Sequence, residues 1–148
     1  MKKTKIFLSL FLALLCLISI VGCKGNDEKA EPIKDGEVIE AEGLWKDAKY
    51  RSNTEVGKGE KTVKLSIEAD GKSLTITLKT DKETLGEAMF AEKLINDPSF
   101  FDTLNGIVAS WDKDQAYWAF YEGETMMPHG VNDEKISGGE SYRFVYTK

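Results

Sequence analysis

The sequence predicts an α+β fold, a mixed sheet with one main helix packed across it, and three observations carry that expectation. The stretch TVKLSIEADGKSLTITLK alternates apolar and polar residues on both sides of an Asp-Gly pair. The next stretch, TDKETLGEAMFAEKLI, changes to helical spacing. The remainder returns to short alternating runs such as AYWAFYEG and ESYRFVYTK. A hairpin, a helix and then further strands give the order ββαβ…β, that of a β-grasp.

The amino terminus reads as an address and not as part of this fold. MKKTK is basic, and IFLSLFLALLCLISIVG is an uncharged apolar run; a basic region before an apolar one is the pattern of a secretory signal. The run closes in ISIVGC, which resembles a bacterial lipobox with cleavage before Cys23 and lipid on its thiol. Residues 1–22 are then the signal peptide, and a diacylated Cys23 anchors the chain stably. The expected location is the extracytoplasmic face of the bacterial cell membrane. With Cys16 removed and Cys23 lipidated, no free thiol remains for a disulfide, a zinc site or a nucleophile.

Charge narrows the partners. The chain has 20 basic and 25 acidic residues, and loss of Lys2, Lys3 and Lys5 leaves 17 against 25, a net charge of −8. Such a surface repels phosphate backbones, which argues against nucleic acid.

Residues 23–43 read as the lipidated cysteine and a flexible tether, because KGNDEKAEPIKDGEVIEAEG is charged and poor in aromatics. The alternative is a short strand around Val38 and Ile39. The domain is placed at 44–148. Its first part, with Leu44, Trp45 and Tyr50 as isolated apolar points, is expected as an extended arm that packs Trp45 on the domain before Gly57 and Gly59 release it.

The hairpin follows. Val63, Leu65, Ile67 and Ala69 share one strand face. Asp70 and Gly71 supply the left-handed pair of a tight turn, and Leu74, Ile76 and Leu78 answer from the second strand. Thr80 and Glu83 have capping-box spacing. Leu85, Ala88, Met89 and Ile95 form a helical face over residues 84–95, and Asn96, Asp97 and Pro98 stop the helix. FFDTLNGIVASW is an apolar run with a turn at Asn105 and Gly106, and DKDQ is a polar turn. AYWAFYEG sets Tyr117, Ala119 and Tyr121 opposite Trp118 and Phe120. ESYRFVYTK sets Tyr142, Phe144 and Tyr146 opposite Arg143 and Val145.

Motifs for catalysis are thin. GKGEKT lacks the spacing of a phosphate loop or dinucleotide fingerprint. DKDQAY begins like a calcium loop but places Ala116 and Tyr117 where an oxygen ligand and a glycine are needed. There is no Gly-x-Ser-x-Gly elbow, and a non-enzyme is expected.

The stretch YWAFYEGETMMPHG holds the candidate ligand-binding residues: Tyr117, Tyr121, Met126, Met127 and His129. Trp118 and Phe120 read as core under the helix. Tyr117 and Tyr121 lie on the other strand face, where an amphipathic ring suits a wet groove. Met126, Met127 and His129 fall in a loop after the Glu122–Gly123 turn. Three readings stay open: an apolar contact surface for a ligand or partner, a soft-metal site holding Cu(I), and plain loop packing.

Several motifs together carry a family resemblance: TLGEA on the helix, NGI, YWAFYEGE and the closing SGGESYRFVY, behind an LWKDA arm. In that order they are similar to the C-terminal β-domain of transcobalamin and intrinsic factor, a domain that recurs in lipoproteins of Gram-positive bacteria. The resemblance covers roughly residues 44–148. It implies a β-grasp-like module that, in the vitamin carriers, closes over cobalamin beside a large helical domain for which this chain has no room. It therefore ranks cobalamin or a related corrinoid first among small-molecule ligands, bound without catalysis and passed to a membrane transporter. A protein-binding surface or scaffold module and a copper-binding lipoprotein are the alternatives.

Overall fold

The computed structural model describes residues 29–148, so the expected signal peptide and the expected lipobox with Cys23 lie outside the described residues. Nine strands are numbered in chain order: β1 Glu31–Pro32, β2 Thr54–Gly57, β3 Lys61–Ala69, β4 Lys72–Thr80, β5 Thr103–Leu104, β6 Ile107–Val108, β7 Tyr117–Glu122, β8 Thr125–Met126 and β9 Ser141–Thr147. Two short helices, α1 Leu85–Ala91 and α2 Trp111–Asp114, and a 3-10 turn at Gly43–Asp47 complete the elements of the described residues. Most of it is one curled mixed sheet with few helices, which is consistent with α+β.

The hairpin forms where the alternation and the Asp-Gly pair place it. Asp70 and Gly71 take φ of 48° and 72°, the left-handed pair that matches strand twist in a tight hairpin. The antiparallel register sets Val63 against Leu78, Leu65 against Ile76 and Ile67 against Leu74. β9 then lies parallel to β3, with Tyr142 beside Leu65 and Phe144 beside Ile67. β7 runs antiparallel to β9 and brings Phe120 opposite Phe144, their rings stacked at 5.1 Å and 6°. One face of the sheet is thus apolar across four strands, and the other carries Lys64, Ser66, Thr75, Thr77 and Arg143, the division expected when only one face is covered.

α1 covers the apolar face with fully buried Leu85, Ala88 and Met89. Its start differs from the expected Thr80–Glu83 box. The Thr84 hydroxyl accepts from the Glu87 N–H at 3.3 Å, whereas the Thr80 hydroxyl accepts from Lys82 N–H; the same threonine-to-glutamate spacing recurs four residues later. The helix also ends earlier than the expected 84–95. Lys93 adopts φ 55°, and the Lys93 and Leu94 amides return to the carbonyls of Phe90 and Met89, a Schellman closure with lysine in the position glycine usually takes. Leu94 and Ile95 are buried from the chain beyond the helix.

The tether and arm differ more. β1 pairs in parallel with β4 at Lys72 and Ser73, and Ile39 is 2% exposed, so the expected tether is attached to the domain from residue 31, although most of its side chains stay exposed. A charged composition does not prevent two isoleucines from joining the core, Ile39 within it and Ile33 packed against it. The arm is not extended at Trp45, which sits in the 3-10 turn, 2% exposed, and donates its indole N–H to Ala69 O at 3.0 Å. Nor does Gly57 release the chain: it closes β2, and a Cβ there would lie 2.2 Å from Lys79 O. Close approach to β4 is the reason for glycine.

Asn105 and Gly106 do make the second turn, with φ of 54° and 81°, but between β5 and β6, a two-stranded sheet outside the main one. The expected polar turn DKDQ is the single helical turn α2, capped by the Ser110 hydroxyl.

Candidate functional site

β7 is the strand that positions the site, and it is held unequally on its two sides. β9 pairs with it along its whole length, from Tyr117 to Glu122. β8 pairs with it only at Tyr121 and Glu122, joined through Gly123 at φ 59°, as the primed hairpin turns require. The segment expected to be a loop after Gly123 is therefore strand at Thr125–Met126. Beyond it the Met127 N–H still reaches Phe120 O at 2.8 Å, and then Pro128 and Gly130 lead the chain toward α1.

A groove of about 270 Å³ lies along the part of β7 that β8 leaves uncovered. It is lined by residues 117–120 of β7, by residues 99–101, and by Met126, Met127 and residues 129–131. Four of the five sequence candidates, Tyr117, Met126, Met127 and His129, are brought together there. Tyr121 is not: its ring lies 5.2 Å from the Arg143 guanidinium on the polar face, and that guanidinium is fixed by Glu68 at 2.8 Å. Trp118 and Phe120, expected as core, are each 8% exposed and line the groove as well.

Phe100 and Phe101 were not expected at the site. Phe101 packs edge-on against Phe144 at 6.1 Å, while Phe100 is 82% exposed. Their only sequence signal was two phenylalanines beyond the helix-stopping Pro98, which reads equally as the start of a strand. Tyr117 and Met126 are 42% and 51% exposed, and Trp111, 64% exposed, extends the apolar margin with its ring 6.4 Å from Tyr117. Exposed aromatic and thioether side chains are thus grouped on one part of the molecule.

At its polar end the groove is lined by His129, which is backed by Glu134 and Tyr142. His129 Nε2 lies 2.6 Å from Glu134 Oε2, so the carboxylate accepts and Nε2 carries the proton. The buried Tyr142 hydroxyl donates to the other carboxylate oxygen at 2.7 Å. Burial first, and then the Glu134 carboxylate, hold the Tyr142 phenol far above its ordinary range, so it stays protonated. A carboxylate behind an imidazole is also the arrangement that orients a metal-binding histidine through its other nitrogen.

The three-ligand copper set is not favoured by the backbone. Met126 stands opposite Tyr121 and Met127 is bonded to Phe120, and successive residues of an extended chain project to opposite faces. Among the described residues no group of three or more His, Cys, Asp or Glu side chains converges.

No family model matches the chain, and no curated protein does. Solved structures do resemble it. One is a Ruminococcus gnavus ATCC 29149 protein provisionally described as metal binding, 21% identical with a TM-score of 0.55 over 60% of this chain and 98% of that one. Another is haptocorrin in complex with Cbi, 15% identical with a TM-score of 0.45 over 60% of this chain; the chain spans 25% of haptocorrin's length. The first likeness establishes a shared fold.

Proposed function

We propose that the chain is a lipid-anchored protein of the extracytoplasmic membrane face whose β-grasp-like domain binds without catalysing, with the groove beside β7 as its contact surface. The observation that carries the reading is the meeting of an apolar groove with an incompletely paired sheet edge. The anchor rests on ISIVGC. The β-grasp-like description rests on α1 between the β3–β4 hairpin and a β9 that pairs in parallel with β3. The groove's lining offers a single imidazole, His129, and no carboxylate, thiol or ammonium group, and Glu134 engages that imidazole; such walls support a binding reading.

A polypeptide segment of a partner protein fits the groove better than a whole corrinoid. Its volume of about 270 Å³ falls below the roughly 300–1,000 Å³ of clefts that enclose a ligand. A corrinoid in uptake, handed on to a membrane transporter, is the second reading. The flat ring and thioether lining favours it, and in that case the groove would hold one edge of the macrocycle while a second protein covered the rest.

A photoreactive phenylalanine analogue at Met126 of the membrane-bound chain, compared with the same analogue at Glu55 on the opposite sheet edge, tests the contact surface. Adducts at Met126 and none at Glu55 are expected; equal yields, or none at either, overturn the reading. Mixing hydroxocobalamin with the purified chain sorts the ligand class, since a saturable shift of the corrin absorbance that Tyr117→Ala weakens would select the corrinoid.

A further inference from the structure

The main chain of β7 presents more than an apolar margin. Because Phe120 O accepts from Met127 N–H, the main-chain groups of Phe120 face the β8 side. In an antiparallel ladder these directions alternate along the strand, so those of Trp118 face the same way and those of Tyr117 and Ala119 face β9. β8 never reaches Trp118, because its ladder covers only Tyr121 and Glu122. Past Pro128 the chain departs to α1, where Val131 O accepts from Gly86 N–H at 2.8 Å. Among the described residues neither the N–H nor the C=O of Trp118 has a hydrogen-bond partner, and Trp118 lines the groove. An unpaired donor and acceptor on a sheet edge are a template for another strand.

We propose that a partner protein lays an extended, uncharged or basic segment into this groove, where it adds to the sheet as a strand antiparallel to β7 and hydrogen-bonds Trp118 through its backbone. The proposal rests on the reading of the groove as a contact surface and specifies what fills it. Backbone pairing would supply affinity, and alternate side chains of the segment would supply specificity. One set would face the side of Trp118 and Phe120, the other the side of Tyr117. The lining residues carry neither carboxylate nor ammonium groups, while the chain beyond the signal has 17 basic residues against 25 acidic ones, so flanking lysine or arginine on the segment is favoured and flanking acid is not. A second copy of the chain fits less well: it would bring the same negative charge and its own β8 hairpin to an opening only three residues long, 117–119.

Panning a random-peptide library against the full chain held in lipid nanodiscs provides the probe, a synthetic copy of the most enriched peptide. Its sequence is expected to alternate apolar with uncharged or basic residues, and on binding it should slow hydrogen exchange at Trp118. N-methylation of its alternate amides, those facing β7, should weaken binding by roughly tenfold or more, whereas methylation of the intervening amides changes it little. Phe100→Ser, at a side chain too exposed to matter for folding, should also weaken it. Uniform sensitivity to methylation, or none, with protection still at the groove sinks strand addition and leaves the contact surface standing. Protection elsewhere on the chain sinks both. Absence of any enriched peptide, or a dimer that protects Trp118 without peptide, overturns the proposal.

Discussion

Asn105 closes the amino-terminal arm onto the domain, and its removal is a quantitative test of how that arm is held. The residue is fully buried and left-handed at φ 54°. Its side-chain oxygen accepts from Tyr50 N–H at 2.9 Å, and its side-chain nitrogen donates to Tyr50 O at 2.8 Å. Asn105→Ala removes two hydrogen bonds worth about 0.5–1.5 kcal/mol each and puts a Cβ residue without a polar tip in the left-handed region, at about 1 kcal/mol more. A loss of about 2–4 kcal/mol follows, which at a typical urea dependence lowers the midpoint by roughly 1–3 M. Asn105→Gly relieves the backbone cost but not the lost clamp, so it should fall between alanine and the parent. Urea denaturation followed by tryptophan fluorescence reads the series directly, because Trp45 lies in the same arm. If Asn105→Ala stays within about 0.5 kcal/mol of the parent, the range of an ordinary surface change, the arm is not held by this amide and the reasoning fails.

Three further outcomes are expected. Leu85→Ala should cost about 2–5 kcal/mol, as for a large-to-small change at a side chain with no exposure; an unchanged denaturation midpoint would put α1 somewhere other than on the apolar sheet face. Burial opposes ionisation of Glu140, but the Ser137 and Gly138 amides that donate to its carboxylate prevail and hold its pKa below the usual 4.5. The carboxylate therefore stabilises the fold above pH 4.5 and ceases to as pH falls through the lower folded value, so Glu140→Gln should flatten the acid side of the stability curve, and an identical acid profile would show the contact to be idle. Cys23→Ala should leave precursor that no longer incorporates labelled fatty acid, and a variant still labelled and processed to the parent's mass would end the lipobox reading.

What could be read from the residues alone was the local part of the fold. The β3–β4 hairpin declared itself because Val63 to Leu78 alternate around a turn that only a left-handed pair can make, and the ring-bearing alternations of β7 and β9 did the same. Helix α1 was legible as an apolar face, but not in its limits, since threonine-to-glutamate spacing occurs twice in TDKETLGE and the left-handed residue at its end is Lys93, not a glycine. Long-range pairing left no mark. Nothing in EPIK announces a strand parallel to β4, and nothing in SGGESYRF announces that β9 settles beside β3. At the site, Tyr117 and Met126 could be named from their chemistry, but Tyr121 could not be assigned to Arg143 without the register. Phe100 could not be told from a core residue, because exposure depends on where the chain turns after Pro98.

Residue-resolved hydrogen exchange at two neighbouring amides tests the account most directly. In the free chain the Ala119 N–H, turned toward β9, should be protected with the sheet core. The Trp118 N–H, turned into the groove, should exchange orders of magnitude faster although its side chain is just as buried. Equal protection at both amides would mean that the edge of β7 is already paired, and the groove would then be ordinary surface and not a place where a partner docks.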